Sequence, residues 1–269
     1  MKSRFAALLL VLSPLLSACG PDPTPVEPAT APAAASTASG AATAPNAPAQ
    51  GAPVSPEASA APVAPAGPPQ GPAPVAGVDY TVIANGQPYA PLNGQVEVVE
   101  VFGYTCGGCA QFEPVVQAWK KRQPADVRFT PVPAAFGGYW VPYARAFMAA
   151  EILGVQERTH EDMFRAVHVE RTLPVQGVTP QQFGEFYAKY GVDPKTYTDA
   201  YQSFGLEARL NRAKQFVMRS GVESTPTLVV NGQYRVEVSQ EGGYDKLLNT
   251  VDHLVAQQRG AAGTGAGGQ

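Results

Sequence analysis

The sequence predicts an α/β domain interrupted by a run of helices, on three observations. A strand, a helix and a second strand follow one another between Gln95 and Val132. A series of helical segments comes next. Two short strands around Asn231-Gly232 then lead into a last amphipathic helix. A strand, helix, strand unit closes as a parallel pair with a right-handed crossover. Asn-Gly between two β-rich runs is the signal of a tight antiparallel hairpin.

Each element has a local reason. "QVEVVEVF", Gln95 to Phe102, and "VRFTPV", Val127 to Val132, are strands by their β-branched content. Between them Ala110 to Arg122 is helical, with Pro114 a place for a kink. "YARAFMAAEILG" stops at Gly154, and "THEDMFRAVHV" starts at Thr159 as its expected N-cap. "TPQQFGEFYAKYG" has Thr179 as N-cap, Pro180 at the first helical position, Gln182 to complete a capping box and Gly191 as its stop. The same logic runs from Asp193 to Gly205, and Leu206 to Ser220 makes one more helix. After "TPTLVV" and "QYRVEV", Leu247, Leu248, Val251, Leu254 and Val255 recur at helical spacing. The insert of helices is thus expected over about 139–221 within a domain of 77–259.

The flanks have a different composition. Residues 1–19 carry Lys2 and Arg4, then an apolar run too short to span a bilayer, then small residues before Cys19, which is the pattern of a secretory signal. "LSAC" resembles the bacterial lipobox. That resemblance implies that Cys19 is acylated and anchors the chain to a membrane, inner or outer; an ordinary signal cleaved nearby, with Cys19 incidental, is the other reading. Residues 20–76 are mostly Ala, Pro, Gly, Ser and Thr, with Asp22, Glu27 and Glu57 as their only charges and no aromatic residue. Such a segment buries too little apolar surface to order itself and is expected to be a tether. Extended at about 3.1 Å per residue, it reaches on the order of 100 Å. Residues 260–269 are expected to be a flexible tail. A net charge of −3 argues against a nucleic-acid partner.

With Cys19 set aside, two of the three cysteines remain, Cys106 and Cys109 in "GYTCGGC", with no third to pair with. Cys106 falls where strand turns into helix, beside unpaired N–H groups and the positive end of the helix dipole, and both favour its thiolate. Cys109 lies one turn inside and is better shielded. The chemistry this suggests is disulfide exchange, with Cys106 attacking and Cys109 resolving, and Gly107 and Gly108 forming the loop between them. A zinc half-site would need further ligands, and His160, His168 and His253 are scattered. Cu(I) needs fewer soft ligands, so copper carriage is the competitor from another class. No metal and no cofactor is expected for the redox reading.

The C-x-x-C at a helix start, the insert of helices, "QFEPVV" after Cys109 and Thr225-Pro226 before the hairpin resemble the thioredoxin superfamily, and within it the DsbA group of dithiol oxidases. The resemblance covers about residues 78–258. It implies a thioredoxin fold with a helical insert subdomain. It also implies a cis Pro226 facing the sulfurs, with the backbone at Thr225 binding substrate as an added strand. Glu100 stands where the group places a buried acid that shuttles a proton to Cys109, and Glu113 matches a second familial acid, an exposed helix charge being its other reading. On a central strand Glu100 would be poorly solvated; on an exposed one it would be an ordinary surface charge. The implied setting is the periplasm. Cysteine-containing envelope proteins are the implied substrates, a DsbB-like membrane quinone reductase the reoxidant, and a monomer the implied state.

The chain departs from the group between the cysteines, where Gly107-Gly108 replaces Pro-His. Loss of the histidine is expected to leave Cys106 less acidic and the couple less oxidising than in histidine-bearing members. That shift keeps an envelope thiol reductase as the alternative direction.

Overall fold

A computed structural model describes residue 69 and residues 71–265, with side chains to residue 261. Cys19, the signal and most of the expected tether lie outside the described residues. The elements run β1 (Thr81–Val82), β2 (Val96–Phe102), α1 (Gly107–Arg122), β3 (Val127–Pro133), α2 (Trp140–Ile152), α3 (Gln156–His168), α4 (Pro180–Ala188), α5 (Pro194–Tyr201), α6 (Phe204–Arg219), β4 (Thr227–Val230), β5 (Tyr234–Glu237) and α7 (Gly243–Gly265).

The five strands form one sheet in the order β1-β5-β4-β2-β3. β3 is parallel to β2 in the register Glu100 to Pro131, and β4 is antiparallel to it, placing Leu228 opposite Glu100. β2 is therefore central, and all seven of its residues are buried. Its alternation separates two cores. Val96 and Val98 join Leu228, Val230, Phe112, Val116 and Trp119 of α1, and Leu247, Val251 and Leu254 of α7. Val99 and Val101 join the cluster that continues into the insert through Phe147, Met163, Phe183, Tyr197 and Phe216.

Two acids on β2 have opposite fates. Glu97 accepts the Tyr89 N–H at 2.7 Å and the Ala90 N–H at 3.0 Å and pairs with Arg128 at 2.9 Å. It pins the loop ahead of β2. Both carboxyl oxygens of Glu100, 1% exposed, have no hydrogen-bond partner. A buried polar group without a partner costs about 1–3 kcal/mol, so this position points to chemistry rather than to stability.

The hairpin forms as its sequence predicts. Asn231 (φ 48°) and Gly232 (φ 68°) make the turn, closed by the Gln233 N–H to the Val230 carbonyl at 2.8 Å. Gly232 is required twice over, because a Cβ there would also fall 2.0 Å from the Gln87 carbonyl oxygen. Thr179 caps α4 with the full capping box, and the Asp193 carboxylate caps α5.

Three boundaries differ from the sequence prediction. Thr159 is not an N-cap: α3 begins at Gln156, and the fully buried Thr159 hydroxyl donates back to the Val155 carbonyl at 2.8 Å. A hydroxyl inside a helix satisfies itself this way on the preceding turn. Gly205 does not end a helix but lies in the first turn of α6, which the Ser203 hydroxyl caps by accepting the Leu206 N–H. α7 continues past Arg259 to Gly265, into the expected tail. β1, unanticipated in the sequence, covers the free edge of β5.

Candidate active site

The end of β2 and the start of α1 bring the two sulfurs together, and both thiols are free. Cys106 is the N-cap of α1. Its sulfur accepts the Cys109 N–H at 3.2 Å and, in the protonated form, its S–H donates to the Thr225 carbonyl at 3.4 Å. Cys106 is half-buried, while Cys109, one turn in, has no exposed surface.

This environment splits the pair. Hydrogen bonds from the Cys109 thiol and from the N–H groups of Cys109 and Gly108 lower Cys106 to a pKa of about 5, against the opposing effect of partial burial. Burial pushes the Cys109 thiol far up, reinforced by its hydrogen bond to Cys106 and by the charges of Cys106 and Glu100. One sulfur is thus an anion at neutral pH and the other a neutral thiol, the asymmetry that thiol exchange needs.

Pro226 follows Thr225 through a cis peptide bond and is buried beside the loop between the cysteines. A Cβ on Gly108 would sit 3.5 Å from the Pro226 ring. Gly107 is exposed on the outer side. Glu100, in phase with Val96 and Val98, lies on the side of β2 that α1 and α7 cover. Burial raises its pKa well above the ordinary carboxylate value, with the charges of Glu113 and Cys106 adding to the effect. Glu113 is itself buried at 2% exposure, accepting from Gln117 at 3.0 Å and lying 3.5 Å from His160 Nε2.

Three residues escaped the sequence reading. His160 and His168 converge on Tyr104: His160 Nδ1 is 2.7 Å from the Tyr104 hydroxyl, and His168 Nε2 donates to the Tyr104 carbonyl at 2.8 Å. Two positions of α3 thereby hold the residue two before Cys106. Tyr244, at the start of α7, donates its hydroxyl to the Gly108 carbonyl at 2.8 Å. No local pattern marks these residues, because each reaches the site only through tertiary packing. Among the described residues no cluster of His, Cys, Asp or Glu could hold a metal ion, and no helix is long and apolar enough to cross a membrane.

The comparisons agree with this geometry. No protein-family model matches the chain. It is 36% identical over 187 residues to the thiol:disulfide interchange protein DsbA of Pseudomonas aeruginosa, covering 70% of this chain and 87% of that protein. It is 37% identical over 168 residues to that of Azotobacter vinelandii, covering 62% and 77%. The crystal structure of the oxidoreductase DsbA from Xylella fastidiosa superposes with a TM-score of 0.68 at 45% identity, over 70% of this chain and 98% of that one. That of Pseudomonas aeruginosa DsbA gives 0.63 at 35% identity, over 68% and 94%. Sulfurs, fold and relatives together place the chain in the DsbA family of thiol:disulfide interchange proteins.

Proposed function

We propose that the chain oxidises pairs of cysteines in proteins of the bacterial periplasm, cycling Cys106 and Cys109 between disulfide and dithiol, and that a lipid on Cys19 tethers it to a membrane. The observation that carries the redox chemistry is the placement of the two sulfurs, Cys106 at the helix N-cap accepting the Cys109 N–H at 3.2 Å and Cys109 fully buried one turn in. Cysteine-containing envelope proteins are the substrates.

A substrate thiolate attacks the sulfur of Cys106. The bond between Cys106 and Cys109 breaks, and its electron pair leaves on Cys109. Cys109, disfavoured as a buried anion, takes up a proton. Glu100, whose pKa burial raises well above the ordinary carboxylate value and which couples electrostatically to Cys109, is the donor assigned to supply it. A second substrate thiolate then attacks the substrate sulfur of the mixed disulfide and expels Cys106, a good leaving group because its thiolate is stabilised. Two electrons pass from substrate dithiol to enzyme disulfide. A membrane quinone reductase of the DsbB type takes them onward. The backbone at Thr225, beside the Cys106 sulfur, supplies the edge on which an extended substrate segment lies. The chain works as a monomer.

Alkylation trapping in cells tests the direction. Cys106 found mostly in a disulfide supports oxidation, whereas Cys106 found mostly free assigns the chain to thiol reduction. A Cys109→Ala variant is expected to accumulate mixed disulfides with envelope proteins; a Cys106→Ala variant that still exchanges disulfides at full rate would refute the mechanism.

A further inference from the structure

The bond from Tyr244 to the Gly108 carbonyl meets a peptide group that is already engaged. The same peptide unit, Gly108 carbonyl and Cys109 N–H, donates from its nitrogen to the Cys106 sulfur at 3.2 Å. Tyr244 hydroxyl, peptide and sulfur form one chain of hydrogen bonds, and a peptide whose oxygen accepts a bond becomes a stronger donor at its nitrogen.

The tyrosine is placed for this by tertiary structure. Its ring packs on Phe112 of α1, centroids 4.9 Å apart at 38°. Glycine at 108 leaves the space it uses: a Cβ there would lie 3.8 Å from both the Tyr244 hydroxyl and the Cys106 sulfur, so a longer side chain would compete with the hydroxyl. The groups facing Cys106 are Cys109 on α1, Glu100 on β2, Thr225 ahead of β4 and Tyr244 on α7.

We infer that Tyr244 is a positioning residue that tunes the Cys106 thiolate through the single peptide between Gly108 and Cys109, taking over from the loop's missing side chains. The inference deepens the thiol:disulfide reading and rests on it. Removing the hydroxyl weakens the N–H bond to the anion, which raises the Cys106 pKa and stabilises the disulfide relative to the dithiol. Cooperative strengthening at the upper end of its range, roughly 30%, on a charge-assisted bond corresponds to about a two- to fourfold change.

The test compares Tyr244→Phe, which keeps the ring on Phe112, with Tyr244→Leu, which does not. Thiolate absorbance of the reduced chain against pH reads the Cys106 pKa, and equilibration with glutathione reads the redox balance. Tyr244→Phe is expected to raise the pKa by about 0.3–0.6 and to shift the glutathione equilibrium two- to fourfold toward the disulfide. Wild-type values for Tyr244→Phe overturn the inference, as does a change confined to Tyr244→Leu, which would assign the effect to the ring. These readouts need no substrate protein, so a wild-type chain that fails to oxidise dithiols would refute the function while leaving this result to stand or fall separately.

Discussion

Replacing Glu100 with leucine is expected to make the protein more stable and less active at once. The carboxyl is 1% exposed with both oxygens unpartnered, and leucine of similar volume removes a desolvation cost of about 1–3 kcal/mol. For a domain of this size that corresponds to a rise in Tm of roughly 2–12 °C. The gain depends on pH. Because the folded pKa lies well above the ordinary value of 4.5, the native state holds a proton that the unfolded state has lost. Wild-type stability therefore falls as pH rises from about 4.5 toward the folded pKa, at up to about 1.4 kcal/mol per unit, and the advantage of leucine widens over that window. Comparing both proteins in the reduced form largely cancels the titration of Cys106. Single-turnover oxidation of a dithiol peptide is expected to slow about a hundredfold, the lower range for a lost proton donor. Urea melts at pH 4, 5.5, 7 and 8 with stopped-flow rates supply the data. A variant less stable than wild type at pH 7, or a stability difference flat from pH 4 to 8, would refute the buried, protonated carboxyl.

Titration of reduced protein at the thiolate absorbance band is expected to show one transition near pH 5, from Cys106, with Cys109 silent through the neutral range. Because Cys106 is depressed on folding, its contribution to stability is present above the unfolded thiol pKa and lost as pH falls toward 5; melts of Cys106→Ser against wild type check this. Glu97→Ala strands the Tyr89 and Ala90 N–H groups, while Arg128 keeps its bonds to the Ala90 and Pro91 carbonyls, and is expected to cost about 3 kcal/mol in urea unfolding with little change in the Cys106 pKa. Cys19→Ser is expected to move the protein from the membrane to the soluble fraction on cell fractionation.

The sheet, the insert and the sulfur pair were legible because each leaves a local mark: β-branched runs, Asn231-Gly232, the Thr179 capping box, and cysteines at a strand-to-helix turn. Glu100 was legible at one remove, from its phase on a strand with valines on both faces. The boundary errors at Thr159 and Gly205 arose where polar or small residues that resemble punctuation were absorbed into helices, one by back-bonding to Val155 and the other by the cap from Ser203. Tyr244 and His160 were illegible because their partners are distant in sequence: Gly108 for one, Tyr104 and Glu113 for the other. Glu113 reads equally well in the sequence as an exposed helix charge, and its burial comes from the distant α3, which brings His160 within 3.5 Å of it.

The paired grip of His160 and His168 on Tyr104 bears on how far this protein can be pared down. Excising the stretch between β3 and β4, as one might to obtain a small redox module, would delete both imidazoles and leave a buried phenol and a backbone carbonyl uncompensated just upstream of the nucleophile. The helices inserted in the chain are scaffolding for the reactive loop itself.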